Sequence, residues 1–237
     1  MISLITYSTP PGPCGYLPSQ TWRLEYEIVG DMSAVEYQER LLGGWRHFGH
    51  ALFHPQCPSC RACQSLRVAA DRFRPNRSQR RVRRTNEGII RLQIGIPSVS
   101  REKLRLHDRF HTFQSGSKGW PSHAPKDADS YSISFVDNPF PVSEWCYYLE
   151  NRLVGVGYVD DLPDGLSAIY FFHEPDLRWR SLGTWNVLNV IEQARQRSLP
   201  YVYLGYYVEG CLSLQYKADY RPNQIRGPDG LWGAFRQ

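Results

Sequence analysis

The sequence predicts an α+β protein in which helices pack on mixed, mostly antiparallel sheets. Three observations predict it. WCYYLE from Trp145, LVGVGYVD from Leu153 and LSAIYFFH from Leu166 are strand segments in close succession, joined through Asn151-Arg152 and through DLPDG, both good hairpin turns. Ser181 to Arg197 carries Leu182, Trp185, Leu188, Ile191 and Ala194 along one helical face, and PYVYLGYYV follows as a buried strand. Finally, the 237 residues are 41% hydrophobic, 14% aromatic and 22% charged, enough apolar mass for a real core and a composition that excludes general disorder and collagen or coiled-coil architectures.

The remaining elements follow in order. Residues 1–20 carry several prolines and glycines and are expected to be irregular, whereas Trp22 to Val29 alternates as a strand does. Ser33 with Glu36 forms a capping box, and Gly43-Gly44 closes the short helix that it starts. WRHFGHALFH is extended and leads into a cysteine loop, VAADRF is a further strand, and Pro75-Asn76 starts a helix that runs to about Asn86, with Gly88 as its stop. GIIRLQIGIP alternates as a strand up to Pro97. A boundary near 97–100 divides the chain into 1–98, with the cysteines and the arginine helix, and 99–237. A helix over roughly 101–113 precedes SGSKGWPSHAPKDADS, a long polar loop without periodicity, read as a lid or an insertion.

The net charge of +5 is local. Arg72, Arg74, Arg77, Arg80, Arg81, Arg83 and Arg84 fall within thirteen residues that contain no Asp or Glu, and without them the balance turns negative. Such a block fits a polyanion-binding element better than general solubility. Arg77, Arg80, Arg81 and Arg84 recur at i, i+3, i+4 and i+7, so one helix face can bridge successive phosphates, a solvated basic face being the alternative. No apolar run approaches the ~18 residues that span a bilayer, and MISLITYSTPPGPCGYLP lacks the basic start and apolar core of a secretory leader. No membrane partner is expected. Six cysteines in a chain of this length suit reduced thiols, and therefore the cytoplasm.

Cys57, Cys60 and Cys63 form a C-x2-C-x2-C run that needs a fourth ligand, either Cys14 in its rigid PGPCGY setting or His54. Tetrahedral thiolate sets favour zinc or an iron-sulfur cluster; a reduced set without metal is the alternative. Cys146 and Cys211 read as core or incidental, and no organic cofactor is expected. At the mouth of the long helix, Arg178-Trp-Arg180-Ser181-Leu-Gly183 resembles the phosphate-cradling turn of GNAT-type acyltransferases, where helix N-terminal amides bind pyrophosphate, although Ser181 also suits a plain N-cap.

Six blocks taken together carry a wider resemblance: CGYLP at Cys14, HPQCPSCRAC through Cys63, FRPNRSQRRVRRTN from Phe73, DLPDGLSAIYFFHEPD from Asp161, RSLGTWNVLNVIEQAR from Arg180 and YLGYYVEGCLSLQYKADYRP from Tyr203. In this order, over nearly the whole chain, they resemble the aminoacyl-tRNA-protein transferases, the arginyl and leucyl transferases that extend protein N-termini. The resemblance implies two GNAT-like halves, with a metal site at Cys14, Cys57, Cys60 and Cys63. It also implies a charged tRNA as donor and a protein or peptide with an acidic N-terminal residue as acceptor. Gln64-Ser65 stands where the leucyl branch carries a hydrophobic-Pro pair, so leucine and arginine both stay open as the transferred residue.

The implied reaction is aminolysis of an aminoacyl ester by an α-amine whose pKa is about 7.7–8.0, so positioning and oxyanion stabilisation supply most of the rate and no covalent intermediate is required. The candidates for positioning and proton relay are Tyr206, Glu209, Tyr216, Lys217 and Asp160. Arg77, Arg80, Arg81, Arg84, Arg180, Ser181 and Gly183 are the candidates for tRNA, and Arg77, Arg80, Lys217 and Arg221 for the acceptor carboxylate. Two other functions compete. An acyl-CoA-dependent GNAT N-acyltransferase would leave the arginine helix and cysteines idle, and a non-catalytic, metal-stabilised RNA-binding module would leave the carboxy-terminal half without a role.

Overall fold

Ser33 accepts a hydrogen bond from the Glu36 amide while the Glu36 carboxylate accepts one from the Ser33 amide, and this reciprocal box starts helix α1. The computed structural model describes residues 1–235. Around α1 (Ala34–Leu42) lie β1 (Ile2–Ser8), β2 (Gly12–Pro13), β3 (Thr21–Trp22), β4 (Leu24–Asp31), β5 (Arg46–Phe48) and β6 (Ala51–Pro55). β2 and β3 pair with each other, and the other strands form an antiparallel sheet in the order β1-β4-β6-β5. The expectation of an irregular first 20 residues is corrected here: β1 pairs with β4, and because every residue of β1 stays exposed, no buried face marked it in the sequence.

A second, eight-stranded sheet is the backbone of the molecule. It takes β7 (Gln64–Ala69) and β8 (Ile90–Gly95) from the first 98 residues and, with α2 (Arg77–Asn86), α3 (Arg101–Lys118), α4 (Ala128–Tyr131) and α5 (Leu182–Gln196) around it, adds β9 (Val142–Leu149), β10 (Arg152–Leu162), β11 (Gly165–His173), β12 (Tyr201–Tyr207), β13 (Asn223–Arg226) and β14 (Trp232–Ala234). The order is β14-β13-β7-β12-β11-β10-β9-β8, and every pairing is antiparallel except β11 with β12, which α5 connects. The α+β class with mixed, mostly antiparallel sheets therefore stands. This sheet runs across the division at residue 98, since β7 lies between β12 and β13.

β10 is almost continuously buried because helices cover both of its faces. Val154 and Val159 join the core beneath α2 and α5, whereas Leu153, Val156 and Tyr158 join a second core beneath α3 and α4. Strict alternation would not give that distribution. A register shift between Leu153 and Gly155 moves the strand's inward positions from one face to the other, and the shift opposite Tyr158 and Val159 does the same in β11, where Ile169 is the extra residue. A third core, with Tyr37 stacked on Phe140 at 4.2 Å, joins the small sheet to the large one.

Other boundaries move. The strand placed at VAADRF begins earlier, at Gln64 directly after the last cysteine of the loop, and the helix placed at 101–113 continues to Lys118. The long polar segment is irregular only in part, since α3 runs into its start and α4 begins before its end, with a π-helical turn (Ser132–Val136) after it. No helix among the described residues is long and apolar enough to cross a membrane.

Candidate active site

The arginine helix is organised by what it hides. Asn76 and Gln79 form a capping box at 2.9 Å each way, and Gln79, Val82 and Asn86 turn inward, which leaves Arg77, Arg80, Arg81 and Arg84 exposed on the outer faces. At its far end, Asn86 donates to the Arg180 carbonyl and Arg180 donates to the Thr85 carbonyl, both at 2.9 Å. The arginine stripe and the mouth of α5 are thereby one continuous surface. Ser181 takes a left-handed φ of 53° and its side chain caps nothing, so its hydroxyl is not spent on the helix, while the space around Gly183 is open.

Gln79 also donates to the Asp219 carbonyl at 3.3 Å, tying α2 to the turn over Tyr216–Asp219 that carries Lys217. Lys217 donates to the Tyr206 carbonyl at 2.8 Å. Burial pushes its ammonium down to about 7; the neighbouring Arg46 charge adds to that shift, and the Cys211 and Cys63 thiols oppose it. Tyr206 is buried and donates its hydroxyl to the Gly44 carbonyl at 2.7 Å; burial raises its pKa far above the usual tyrosine range. Glu209, Tyr216 and Arg221 are exposed on the same end of the chain. Asp160 stands apart from them: it is fully buried and bonded to His47 between the two sheets. Arg77 and Arg80, named for both tRNA and the acceptor carboxylate, lie with the exposed helix.

The cysteine loop folds against the same end of β12. The Tyr16 and Leu17 amides donate to Cys14 Sγ at 3.4 and 3.5 Å, and burial, with Cys57, Cys14, Cys60 and Cys211 nearby, pushes the Cys63 thiol up to about 12. The donor set suits a soft metal. The geometry does not yet match it, since among the described residues no three of these sulfurs converge to within 4.8 Å of one another. Cys211, read from the sequence as core or incidental, belongs to this thiol neighbourhood.

Beside the loop is a pocket of about 190 Å3, lined by His54, Cys57, Cys60, Arg61, Cys63, Ser65 and Arg226 among others. The left-handed Gly44, with a φ of 97°, lets His54 approach where a Cβ would stand 3.2 Å from its Nε2. Ser65 Oγ and Arg226 Nε are buried in the wall without a hydrogen-bond partner, and no carboxylate lies within 4 Å of Arg61 or Arg226 among the described residues. Arg46, buried behind Tyr206, donates to the Ser167 hydroxyl and the Ala168 carbonyl. Sequence reasoning missed both Arg46 and Arg226. The first hides in an aromatic run, and the second ends a four-residue strand too short to show a period.

Two family profiles cover most of the chain: the arginine-tRNA-protein transferase N terminus matches residues 12–81 and the C terminus matches residues 102–227. A protein of Campylobacter jejuni named aspartate/glutamate leucyltransferase is 37% identical over 93% of this chain and 92% of its own. Proteins of the same name from Pseudomonas putida and Teredinibacter turnerae are 36% and 34% identical, over 92% and 95% of this chain and 92% of theirs. Among solved structures, L-PGS from Bacillus licheniformis superposes with a TM-score of 0.48 at 13% identity, over 73% of this chain and 58% of that one, a likeness too loose to carry the fold. Two matched profiles and full-length relatives at this identity show that the chain belongs to the arginine-tRNA-protein transferase family and is an aminoacyl-tRNA-protein transferase.

Proposed function

We propose that this enzyme moves leucine from leucyl-tRNA to the N-terminal Asp or Glu of an acceptor protein, and that the pocket beside the cysteine loop receives the acceptor's side-chain carboxylate. The observation that carries the reading is the pocket wall: among the described residues, Arg61 and Arg226 have no carboxylate within 4 Å, and two buried polar atoms, Ser65 Oγ and Arg226 Nε, have no hydrogen-bond partner. A buried donor left unpaired costs about 1–3 kcal/mol, and an entering carboxylate would satisfy it. The relatives' name, aspartate/glutamate leucyltransferase, agrees with an acidic acceptor and with leucine as the transferred residue.

In this reading the exposed arginines of α2, with Arg180, Ser181 and Gly183, hold the tRNA acceptor end, and Arg46 supplies positive charge where the two substrates meet, while Lys217, pushed down to about 7, exchanges a proton there near neutral pH. The acceptor's α-amine attacks the ester carbonyl carbon, the C–N bond forms, and the tRNA's terminal ribose oxygen leaves with a proton that the amine gives up. Positioning supplies most of the rate, and no side chain need be acylated. Cys14, Cys57, Cys60 and Cys63 would hold zinc or an iron-sulfur cluster as a pin for the loop; no step passes through that group. The leucylated product would be marked for degradation, in the cytoplasm.

The test crosses leucyl- and arginyl-tRNA with peptides that begin with Asp, Glu or Ala. Leucine transfer confined to Asp and Glu peptides is expected, and Arg226→Ala should raise KM for those peptides while leaving tRNA binding alone. Arginine transfer alone would replace the donor assignment, and equal use of the Ala peptide would remove the pocket's role. Transfer from acetyl-CoA without tRNA would restore the N-acyltransferase reading.

A further inference from the structure

Away from that pocket, on the face covered by α3, the chain gathers three histidines and an aspartate that the transfer reaction does not use. His107 and His111 stand one turn apart on α3, and His123 comes in from the irregular segment after that helix. The rings lie against one another, with centroids 4.1 Å apart for His107 and His111 and 4.8 Å apart for His111 and His123. Asp108 Oδ1 is 3.0 Å from His123 Nε2 and 3.6 Å from His107 Nδ1. One ligand atom from each of His107, Asp108 and His123 falls within 4.8 Å of the others, the only such trio of His, Cys, Asp or Glu among the described residues.

A second observation points inward. His107 is 3% exposed, yet its Nδ1 makes no hydrogen bond, the Asp108 oxygen being too far away. Its ring is wedged edge-on against Tyr131 and Phe172, so water is largely shut out on that side. A buried imidazole nitrogen left without a partner costs free energy, and a Lewis acid is one group that would satisfy it. We infer that His107, Asp108 and His123 form a binding site for a divalent transition-metal ion of the zinc class, which fastens the segment carrying His123 onto α3.

The distances suit such an ion. Zinc sits about 2.0–2.2 Å from nitrogen and carboxylate oxygen, which sets neighbouring tetrahedral donors roughly 3.4 Å apart, close to the 3.0 and 3.6 Å found around Asp108. Two imidazoles and one carboxylate favour zinc and its neighbours in the transition series over calcium or magnesium. Outer contacts already hold the ligands: the Lys126 amide donates to Asp108 Oδ1 at 3.1 Å, and the His111 ring, itself bonded to Tyr170 Oη at 2.8 Å, packs against both ligand imidazoles. The Lys126 ammonium, whose charge reaches His107 and His111, is bonded to Ser134 Oγ at 3.0 Å. On entry the ion would take the place of the proton between His123 Nε2 and Asp108, and the imidazole, still neutral, would carry its single proton on Nδ1 instead.

Cobalt(II) titration of the full-length, chelator-treated protein separates this site from the cysteine loop, because only thiolate ligands add intense sulfur-to-metal bands in the near ultraviolet. The wild type should bind an equivalent of cobalt that gives visible ligand-field bands without matching sulfur bands. His123→Gln, which lies outside α3, should abolish that equivalent, weaken zinc there by more than about 100-fold and leave any thiolate-bound metal in place. Asp108→Asn should do the same, and added zinc should raise the melting temperature of the wild type but not of His123→Gln once the cysteine-bound metal is matched. An unchanged cobalt stoichiometry in both variants, or a wild type whose bound cobalt is wholly sulfur-ligated, would overturn the site.

Discussion

His47 Nε2 lies 2.8 Å from Asp160 Oδ1, with both side chains closed to solvent, while His47 Nδ1 lies 3.0 Å from the Gly49 carbonyl. An oxygen therefore faces each of the two ring nitrogens. The contact joins β5 of the small sheet to β10 of the large one, and Tyr37 packs edge-on against the same imidazole at 4.9 Å.

Removing one member of this pair strands the other in the core. His47→Ala is expected to destabilise the protein by about 3–5 kcal/mol, read as a fall in the denaturant midpoint. Asp160→Asn separates a structural role from a catalytic one. If Asp160 only joins the sheets, the folded fraction keeps its turnover; a collapse of kcat at unchanged melting temperature would return Asp160 to the chemistry.

Acid should act through Glu174. Burial pushes its carboxyl up, but the bonds from Arg109 at 2.8 Å and Arg152 at 2.6 Å outweigh burial and hold it below the usual carboxylate range. A carboxyl whose pKa is depressed by folding contributes stability above its unfolded value of about 4.3, and that contribution disappears as pH falls through the folded value. Glu174→Gln should therefore cost about 2 kcal/mol at pH 7 and progressively less as pH falls from 5 toward 3, measured as the difference in unfolding free energy from the wild type. A difference that grows on acidification would contradict the assignment.

The arginine stripe can be tested through salt. Replacing Arg77, Arg80 and Arg84 together by Ala should weaken tRNA binding and flatten the plot of log affinity against log salt by roughly 2–3 units. The fold should survive, since all three side chains are exposed. An unchanged slope would move the RNA elsewhere.

Cys60→Ser tests the loop. If the four thiols hold a metal, this variant loses that metal's thiolate absorption and unfolds at a lower temperature; normal metal content and melting would leave the loop as a reduced set.

What the sequence disclosed and what it withheld divide along one line. α1 and α2 were legible because their capping boxes are local, Ser33 with Glu36 and Asn76 with Gln79, and α5 because its apolar face repeats. The β9–β11 meander was legible because two-residue turns separate long apolar runs. β1, β13 and β14 were not, since every residue of ISLITYS stays exposed even beside β4, and NQIR and WGA are too short to show a period. The same holds for the site. The arginine spacing and the C-x2-C-x2-C run are patterns within one segment, whereas the meeting of Arg226 with Ser65, or of Cys211 with Cys63, depends on strands more than 140 residues apart in the chain becoming neighbours.

The position of β7 between β12 and β13 has a consequence for biosynthesis. A chain leaving the ribosome presents Gln64–Ala69 long before either neighbour exists, so both edges of that strand must wait, unpaired, for residues beyond 200 to emerge. Pairings so distant in sequence are slow to close. The cysteine loop and the pocket wall at Ser65 are consequently among the last parts of the molecule to take shape, and a truncated product of translation would be born without that pocket.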